Sequence, residues 1–198
     1  MPPPSKKPKR STAKTSKAPR PSSGSRASKR SGARGSAPPL FEEWIEFLRA
    51  LISTNARFLV VGGHAVAVHG EPRLTEDLDV LIEPTLENGE RVRAALERFG
   101  FGALAPPAAD FTEPRRVFML GRKPRRIDVL TSIDGLDFAV AWAGHLDVEL
   151  GGTVVPLLGR QALLVNKRAS GRPKDLADVD AIERSSSREA PRIHHRRR

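Results

Sequence analysis

Asp77 and Asp79 stand two positions apart in Thr75-Glu76-Asp77-Leu78-Asp79-Val80-Leu81-Ile82, downstream of an apolar run, Phe58-Leu59-Val60-Val61, that closes on Gly62-Gly63. Side chains on a strand alternate between faces, so this spacing predicts two carboxylates pointing one way while Leu78 and Val80 point into a core. Acids side by side on an apolar strand repel each other and resist desolvation, and they call for a cation between them. Asp128, in Ile127-Asp128-Val129-Leu130, is a third acid in the same kind of setting. Three such carboxylates suit Mg²⁺, with Mn²⁺ as a substitute, and a cluster of this kind can hold two ions. Asp128 has a second reading, as the structural ion-pair partner of Arg126 or Arg73.

One chemistry that such a cluster can serve is transfer of a nucleotidyl group. A triphosphate must be neutralised and an attacking hydroxyl lined up opposite the departing pyrophosphate, which two divalent ions about 3.5–4 Å apart can do. Asp77 and Asp79 would bridge the ions, and Asp128 would hold the one that acidifies the hydroxyl. Gly62 and Gly63, with the start of the helix expected after them, offer backbone N–H groups to a phosphate, and a missing Cβ permits close approach. Arg73 or Lys167 could offset the charge of the pyrophosphate. Thr75 fits a local backbone-bonding role better than a catalytic one. His64 lies close enough to the glycines to touch a nucleotide, but His64 and His69 also read as packed or exposed helix histidines.

These residues need elements to position them. Phe41, Trp44, Ile45, Leu48 and Leu51 or Ile52 recur at helical spacing, and they predict an amphipathic helix docked on the core. A strand over 57–61 runs into the glycine pair, and a short helix over 64–69 ends at Gly70 and Pro72. The aspartate strand covers about 77–83, followed by a helix over 86–99 with Gly100 as its stop. Residues 116–120 and 126–133 read as a hairpin that carries Asp128 on its second strand. A short helix over 136–143, a second hairpin over 145–150 and 153–157, and helices over 159–168 and 173–183 complete the domain. Strands interrupted by helices and hairpins point to the α/β class, a mixed sheet with flanking helices. The long connection from Asp79 to the strand at 116 is compatible with either strand orientation.

Charge is distributed unevenly. Residues 1–38 hold eleven of the 34 Lys and Arg and no acid, and the 23 that remain equal the 23 Asp and Glu, so the formal net charge of +11 belongs to this segment. It is built mostly from Pro, Ser, Ala, Gly, Thr, Lys and Arg, a composition that cannot bury enough apolar surface to offset the entropy of ordering. Residues 1–38 are expected to be a disordered basic tail, residues 39–184 the folded domain, and residues 185–198 a basic C-terminal tail. The first tail reads either as an arm for polyphosphate, raising affinity by counterion release, or as a solvated extension. Its Lys-Lys-Pro-Lys-Arg has the composition of a nuclear import signal, and its proline density opposes a transit-peptide helix. With no cysteine, disulfides, thiolate zinc sites and cysteine nucleophiles are excluded. No stretch has the apolar length of a membrane span, and a cytoplasmic protein is expected.

The order Gly62-Gly63, short helix, Asp77-x-Asp79 and a later strand bearing Asp128 resembles the nucleotidyltransferase superfamily that includes DNA polymerase β, kanamycin nucleotidyltransferase and the minimal nucleotidyltransferases. The resemblance covers about residues 57–133. The longer run Gly62-Gly63-His64-Ala65-Val66 followed by Arg73-Leu74-Thr75-Glu76-Asp77-Leu78-Asp79 is similar to the bacterial branch that contains the AbiEii toxins of toxin–antitoxin systems. It implies a nucleotidyltransferase fold, an NTP substrate, two Mg²⁺ ions and an acceptor such as the 3′ end of tRNA, with an antitoxin as a possible protein partner. It also implies that Lys167 and Asp175, in Asn166-Lys167-Arg168 and Arg172-Pro173-Lys174-Asp175, complete the site. Asp175 has a second reading as a first-turn helix acid, with Asp178 one turn on.

Metal-dependent transfer of an NMP from an NTP to a hydroxyl is therefore the expected activity. RNA is the favoured acceptor, and a protein hydroxyl or a small aminoglycoside-like molecule stays open. The competing expectation is a non-catalytic module of the same fold that binds nucleic acid or a protein partner.

Overall fold

The computed structural model describes residues 41–71 and 74–189, with the backbone alone at 103 and 186–189. The expected tail over 1–38, and Arg73, lie outside the described residues, as does the end of the C-terminal stretch.

Among the described residues, six strands form one mixed sheet: β1 (Phe58–Val60), β2 (Asp77–Ile82), β3 (Val117–Leu120), β4 (Arg126–Leu130), β5 (Leu146–Leu150) and β6 (Thr153–Leu157), in the order β3-β4-β2-β1-β6-β5. The short central strand β1 is buried along its whole length, as its unbroken apolar run demands. It pairs antiparallel with β2, Val60 opposite Val80, and parallel with β6. The connection left open by the sequence resolves as parallel: β2 and β4 run side by side with Asp77 opposite Arg126 and Asp79 opposite Asp128. The hairpin partner β3 lies antiparallel at the edge.

Among the described residues, six α-helices flank the sheet: α1 (Glu42–Ser53), α2 (Gly62–His69), α3 (Leu86–Leu96), α4 (Phe138–Ala143), α5 (Arg160–Ser170) and α6 (Pro173–Glu189). α1 buries Trp44, Ile45, Phe47, Leu48 and Leu51, and it leaves Ile52 exposed. The stripe thus turns through Leu51, and Glu42 and Glu43 sit in the first turn, where carboxylates meet unpaired N–H groups. α1 packs on α3, whereas α2, α5 and α6 pack on one another. Asn88 ties the two central strands together at the far end from the acids: its amide accepts from the Arg57 backbone N–H and donates to the carbonyls of Arg57 and Glu83. The Thr85 side chain caps the same helix by accepting from the Asn88 N–H.

Several boundaries differ from expectation; β4, for one, ends at Leu130 and not at Ile133. α2 begins at Gly62, so the glycine pair is the first turn of the helix and not a loop before it. α3 stops at Leu96 and widens into a π-helical turn over Glu97–Phe101, where Gly100 takes φ 99°. α6 continues past Glu183 to Glu189, and on the way the Ser185 hydroxyl donates to the carbonyls of His69 and Ile182.

Candidate functional site

Strand alternation and register together decide which side chains meet. Asp77 and Asp79 share a face of β2, and the parallel register sets Arg126 and Asp128 beside them on the same face of β4. The neighbouring Leu78, Val80, Ile127 and Val129, on the opposite face, are buried in the core. The three acids singled out by the sequence are thus gathered on one sheet face.

The start of α2 abuts this face. A Cβ on Gly62 would lie 1.9 Å from Asp79 Oδ2, and Gly62 has φ +59°, a conformation that L side chains rarely adopt. A Cβ on Gly63 would lie 2.7 Å from Thr75 Oγ1. The glycine pair therefore serves the approach of two side chains from the β2 segment to the helix N-terminus. The anion drawn to that terminus in this structure is the Asp79 carboxylate. Thr75 does what its type suggests locally: its hydroxyl donates to the Asp77 carbonyl at 3.0 Å and lies 3.2 Å from Asp77 Oδ1.

The electrostatics of the face are unbalanced. Burial, followed by the charges of Asp77 and Asp128, pushes the Asp79 carboxyl up to about 6, against the opposing effects of the Gly63 backbone N–H and the Lys167 charge. The positive charge the cluster calls for comes from Arg126, whose Nη2 lies 2.9 Å from Asp77 Oδ2 and 2.7 Å from Asp128 Oδ2. Lys123 adds a looser contact, 3.9 Å from Asp77 and 3.3 Å from Glu76. Asp128 Oδ1 is buried without a hydrogen-bond partner among the described residues.

All the donors here are carboxylate oxygens, the set that hard divalent cations prefer, and one of them is buried and unengaged. The residues therefore fit Mg²⁺ or Mn²⁺ in kind. Their arrangement is one closed around a guanidinium: among the described residues, no three His, Cys, Asp or Glu side chains stand as a metal-binding group. The physical reason is Arg126, which draws Asp77 and Asp128 to a single nitrogen.

His64 packs as a neutral core side chain. It is buried, its ring meets Trp44 edge-on at 5.2 Å, and burial lowers its pKa to about 4 despite the nearby charge of Asp77. Its Nε2 has no hydrogen-bond partner among the described residues. His69 Nε2 is engaged by the Leu158 carbonyl at 2.8 Å.

Lys167 and Asp175 are brought together, with Asp178 as a third member. Lys167 Nζ lies 2.6 Å from Asp175 Oδ1 and 3.0 Å from Asp178 Oδ2, and all three side chains are buried. Asp175 also accepts from Ser170 Oγ at 2.8 Å and Arg172 Nε at 2.5 Å. Burial raises its pKa, but the hydrogen bonds from Lys167, Arg172 and Ser170 outweigh it and hold the carboxyl at about 2. The cluster borders the acid face, since the Lys167 charge acts on Asp79.

Two participants carry more weight in the structure than in the sequence reading. Arg126, noted there only as one partner Asp128 could take, bridges two acids; its position two residues before Asp128 already placed it on the acid face. Asp178, three residues after Asp175 on a helix, lies on the same helical side, and that spacing was the available signal.

No family model and no curated protein matches the sequence. Among solved structures, the chain is similar to the antibiotic-resistance factor ANT(2'')-Ia in its solution structure, at 16% identity over 74% of this chain and 84% of that one, with a TM-score of 0.49. It is similar as well to the crystal structure of ANT(2")-Ia in complex with adenylyl-2"-tobramycin, at 16% identity over 74% of this chain and 88% of that one, with a TM-score of 0.47. Among the described residues, no helix is long and apolar enough to cross a membrane.

Proposed function

We propose that this chain is a metal-dependent nucleotidyltransferase that moves an NMP from an NTP to a hydroxyl acceptor. The observation that carries the reading is the register of β2 against β4, which sets Asp79 opposite Asp128 and Asp77 on the same face, directly before the glycine-built start of α2. Asp77, Asp79 and Asp128 would hold Mg²⁺ or Mn²⁺, which when bound supplies charge neutralisation for the triphosphate and acidifies the acceptor hydroxyl.

The chain's own residues do the rest. In the transfer, the acceptor oxygen bonds to the α-phosphorus as the bond to the pyrophosphate oxygen breaks, and the acceptor proton passes to solvent water. Gly62 and Gly63 hold the helix start close to the acids. Lys167 is fixed within electrostatic range of Asp79 by Asp175 and Asp178, so its charge acts on the face without being free to leave it. The eleven positive charges of residues 1–38 support a polyanionic acceptor, and an RNA 3′ end suits them better than a small molecule does. The resemblance to the AbiEii toxins supports the same acceptor and a toxin–antitoxin setting.

The test is incubation of the full chain with Mg²⁺, total RNA and each of four α-labelled NTPs, alongside Asp79→Ala. Label entering RNA from one NTP, and lost in the variant, is the expected result. No labelling of any component, or equal labelling by Asp79→Ala, would overturn the reading. The Arg126 bridge favours one second reading, a non-catalytic module on the same fold that binds nucleic acid or a partner, and that reading requires RNA binding without label.

A further inference from the structure

We infer that Arg126 is a displaceable internal counter-ion, holding Asp77 and Asp128 together in the metal-free protein and giving way when a divalent cation enters. The inference rests on the cation-holding role proposed above for the same carboxylates.

The contact has the form of a stand-in and not of a permanent brace. A guanidinium binds a carboxylate best through two parallel N–H bonds. Here one nitrogen, Nη2, serves two carboxylates on adjacent strands, and neither pair is bidentate in the described contacts. The cost shows on both sides: Arg126 Nε and Asp128 Oδ1 are each buried with no hydrogen-bond partner among the described residues. Arg126 reaches only two of the three acids, and Asp79 is left without a side-chain partner among the described hydrogen bonds. His64 Nε2, on a side chain only 2% exposed, also has no hydrogen-bond partner among the described residues. Arg126 has a way out, because its side chain is a quarter exposed and sits at the first residue of β4. The neighbouring Lys167 cluster also shares one nitrogen between two acids, but there the cation is buried and Asp175 takes further bonds from Ser170 and Arg172.

A counter-ion that must be displaced competes with the ion that displaces it. Removing Arg126 should therefore strengthen cation binding, whereas removing a residue that merely shapes the site should weaken it. The experiment measures Mn²⁺ binding to the full chain, without nucleotide, from the electron paramagnetic resonance signal of free Mn²⁺. It compares wild type, Arg126→Gln, Arg126→Lys and the double variant Arg126→Gln/Asp79→Asn. Arg126→Gln should bind Mn²⁺ about tenfold more tightly or better, given the cost of holding a unit charge beside the ion. Arg126→Lys, which keeps the charge on a shorter side chain, should fall between it and wild type. The double variant should lose the binding. In the absence of metal, Arg126→Gln should melt below wild type, and Mn²⁺ should raise its midpoint more than that of wild type.

Unchanged or weaker Mn²⁺ affinity in a folded Arg126→Gln protein would overturn the inference, as would tight binding that survives Asp79→Asn. Should Arg126→Gln fail to fold without metal, folding restored by Mn²⁺ supports the counter-ion role, and no restoration overturns it in favour of a structural brace. Tighter Mn²⁺ binding in a protein that labels nothing with any NTP would remove the transferase reading and leave this one standing.

Discussion

Asp79 and Asp175 are both drawn out of water within reach of Lys167, and they end at opposite ends of the carboxylate range, about 6 and about 2. Burial acts in the same direction on both. What separates them is the supply of donors: Asp175 accepts from Lys167, Arg172 and Ser170, whereas Asp79 faces two further acids and has chiefly a backbone N–H and a neighbouring ammonium to oppose them. A carboxylate whose charge is fully met is part of the scaffold. One whose charge is left partly unmet is a place where added positive charge lowers the free energy, and the fold accepts that imbalance where chemistry is expected. The two clusters adjoin, so the scaffold of one fixes the lysine that moderates the other.

The comparison is open to attack first at its stable end. Lys167→Ala should lower the unfolding free energy by about 3–5 kcal/mol, because it leaves Asp175 and Asp178 buried without their shared cation. Urea denaturation reads this directly, and a loss below about 1 kcal/mol would show that the cluster is not the brace described here.

At the other end the sign should reverse. Asp79→Asn should cut nucleotidyl transfer by at least about a hundredfold, the scale seen when one electrostatic group is removed from a reacting centre. The same substitution should leave the metal-free protein more stable at pH 7 by about 1–2 kcal/mol, since an ionised carboxylate with a raised pKa opposes folding. Asp175→Asn should do the opposite and destabilise. If both substitutions destabilise equally, the contrast between the clusters fails.

Gly62→Ala tests the seam between helix and acid. The new Cβ would fall on Asp79 Oδ2, at a backbone φ of +59°, and the expected cost is about 1–3 kcal/mol from strain and displacement together. Part of this is specific to the carboxylate. In an Asp79→Gly background the steric part should vanish while the backbone part persists, so a double-mutant cycle should show coupling of about 0.5 kcal/mol or more. Strict additivity would mean that the glycine is kept for its backbone alone.

What the sequence made legible follows from periodicity. Strand alternation assigned Asp77 and Asp79 to one face, helical spacing found the buried stripe of α1, and the glycine and proline signals bounded most elements. The coincidence of Asp79 with Asp128 was not legible to the residue. It depends on a parallel register set across the whole segment from α3 to β3, and no local pattern encodes a long connection of that kind. Gly62 and Gly63 read as a loop because glycine disfavours helices, yet here the tertiary demand for space beside Asp79 and Thr75 overrides propensity and starts the helix at Gly62. The extension of α6 was hidden for a similar reason, since Ser185 is held by its bond to the His69 carbonyl and not by an apolar stripe. The meeting of Lys167 with Asp175 and Asp178 required the chain reversal at Gly171, which takes φ 65° at the end of α5.

The smallest expected effect is the pH dependence of wild-type stability, because two buried groups oppose each other in one window. Asp79 is raised from 3.8 to about 6, so the folded state holds its proton more tightly; that contribution is complete below about pH 3.8 and is lost as pH rises through about 6. His64 is lowered from 6.5 to about 4, so the folded state holds its proton less tightly; that contribution is complete above about pH 6.5 and is lost as pH falls through about 4. Between about pH 4 and 6 the two slopes have opposite signs, and the metal-free wild type should show a shallow profile. Each single variant should expose the other group, with a limiting slope of about 1.4 kcal/mol per pH unit. Asp79→Asn should lose stability as pH falls across the window, and His64→Gln should gain it. Below about pH 3.8 both should lose stability together, as Asp175 is protonated on the way to its own value of about 2. Urea denaturation midpoints at half-unit steps from pH 3 to 7, in chelator, measure all three profiles. Superimposable wild-type and Asp79→Asn profiles would place Asp79 at an ordinary carboxylate value, and its difference from Asp175 would then reduce to the three hydrogen bonds that Asp175 accepts.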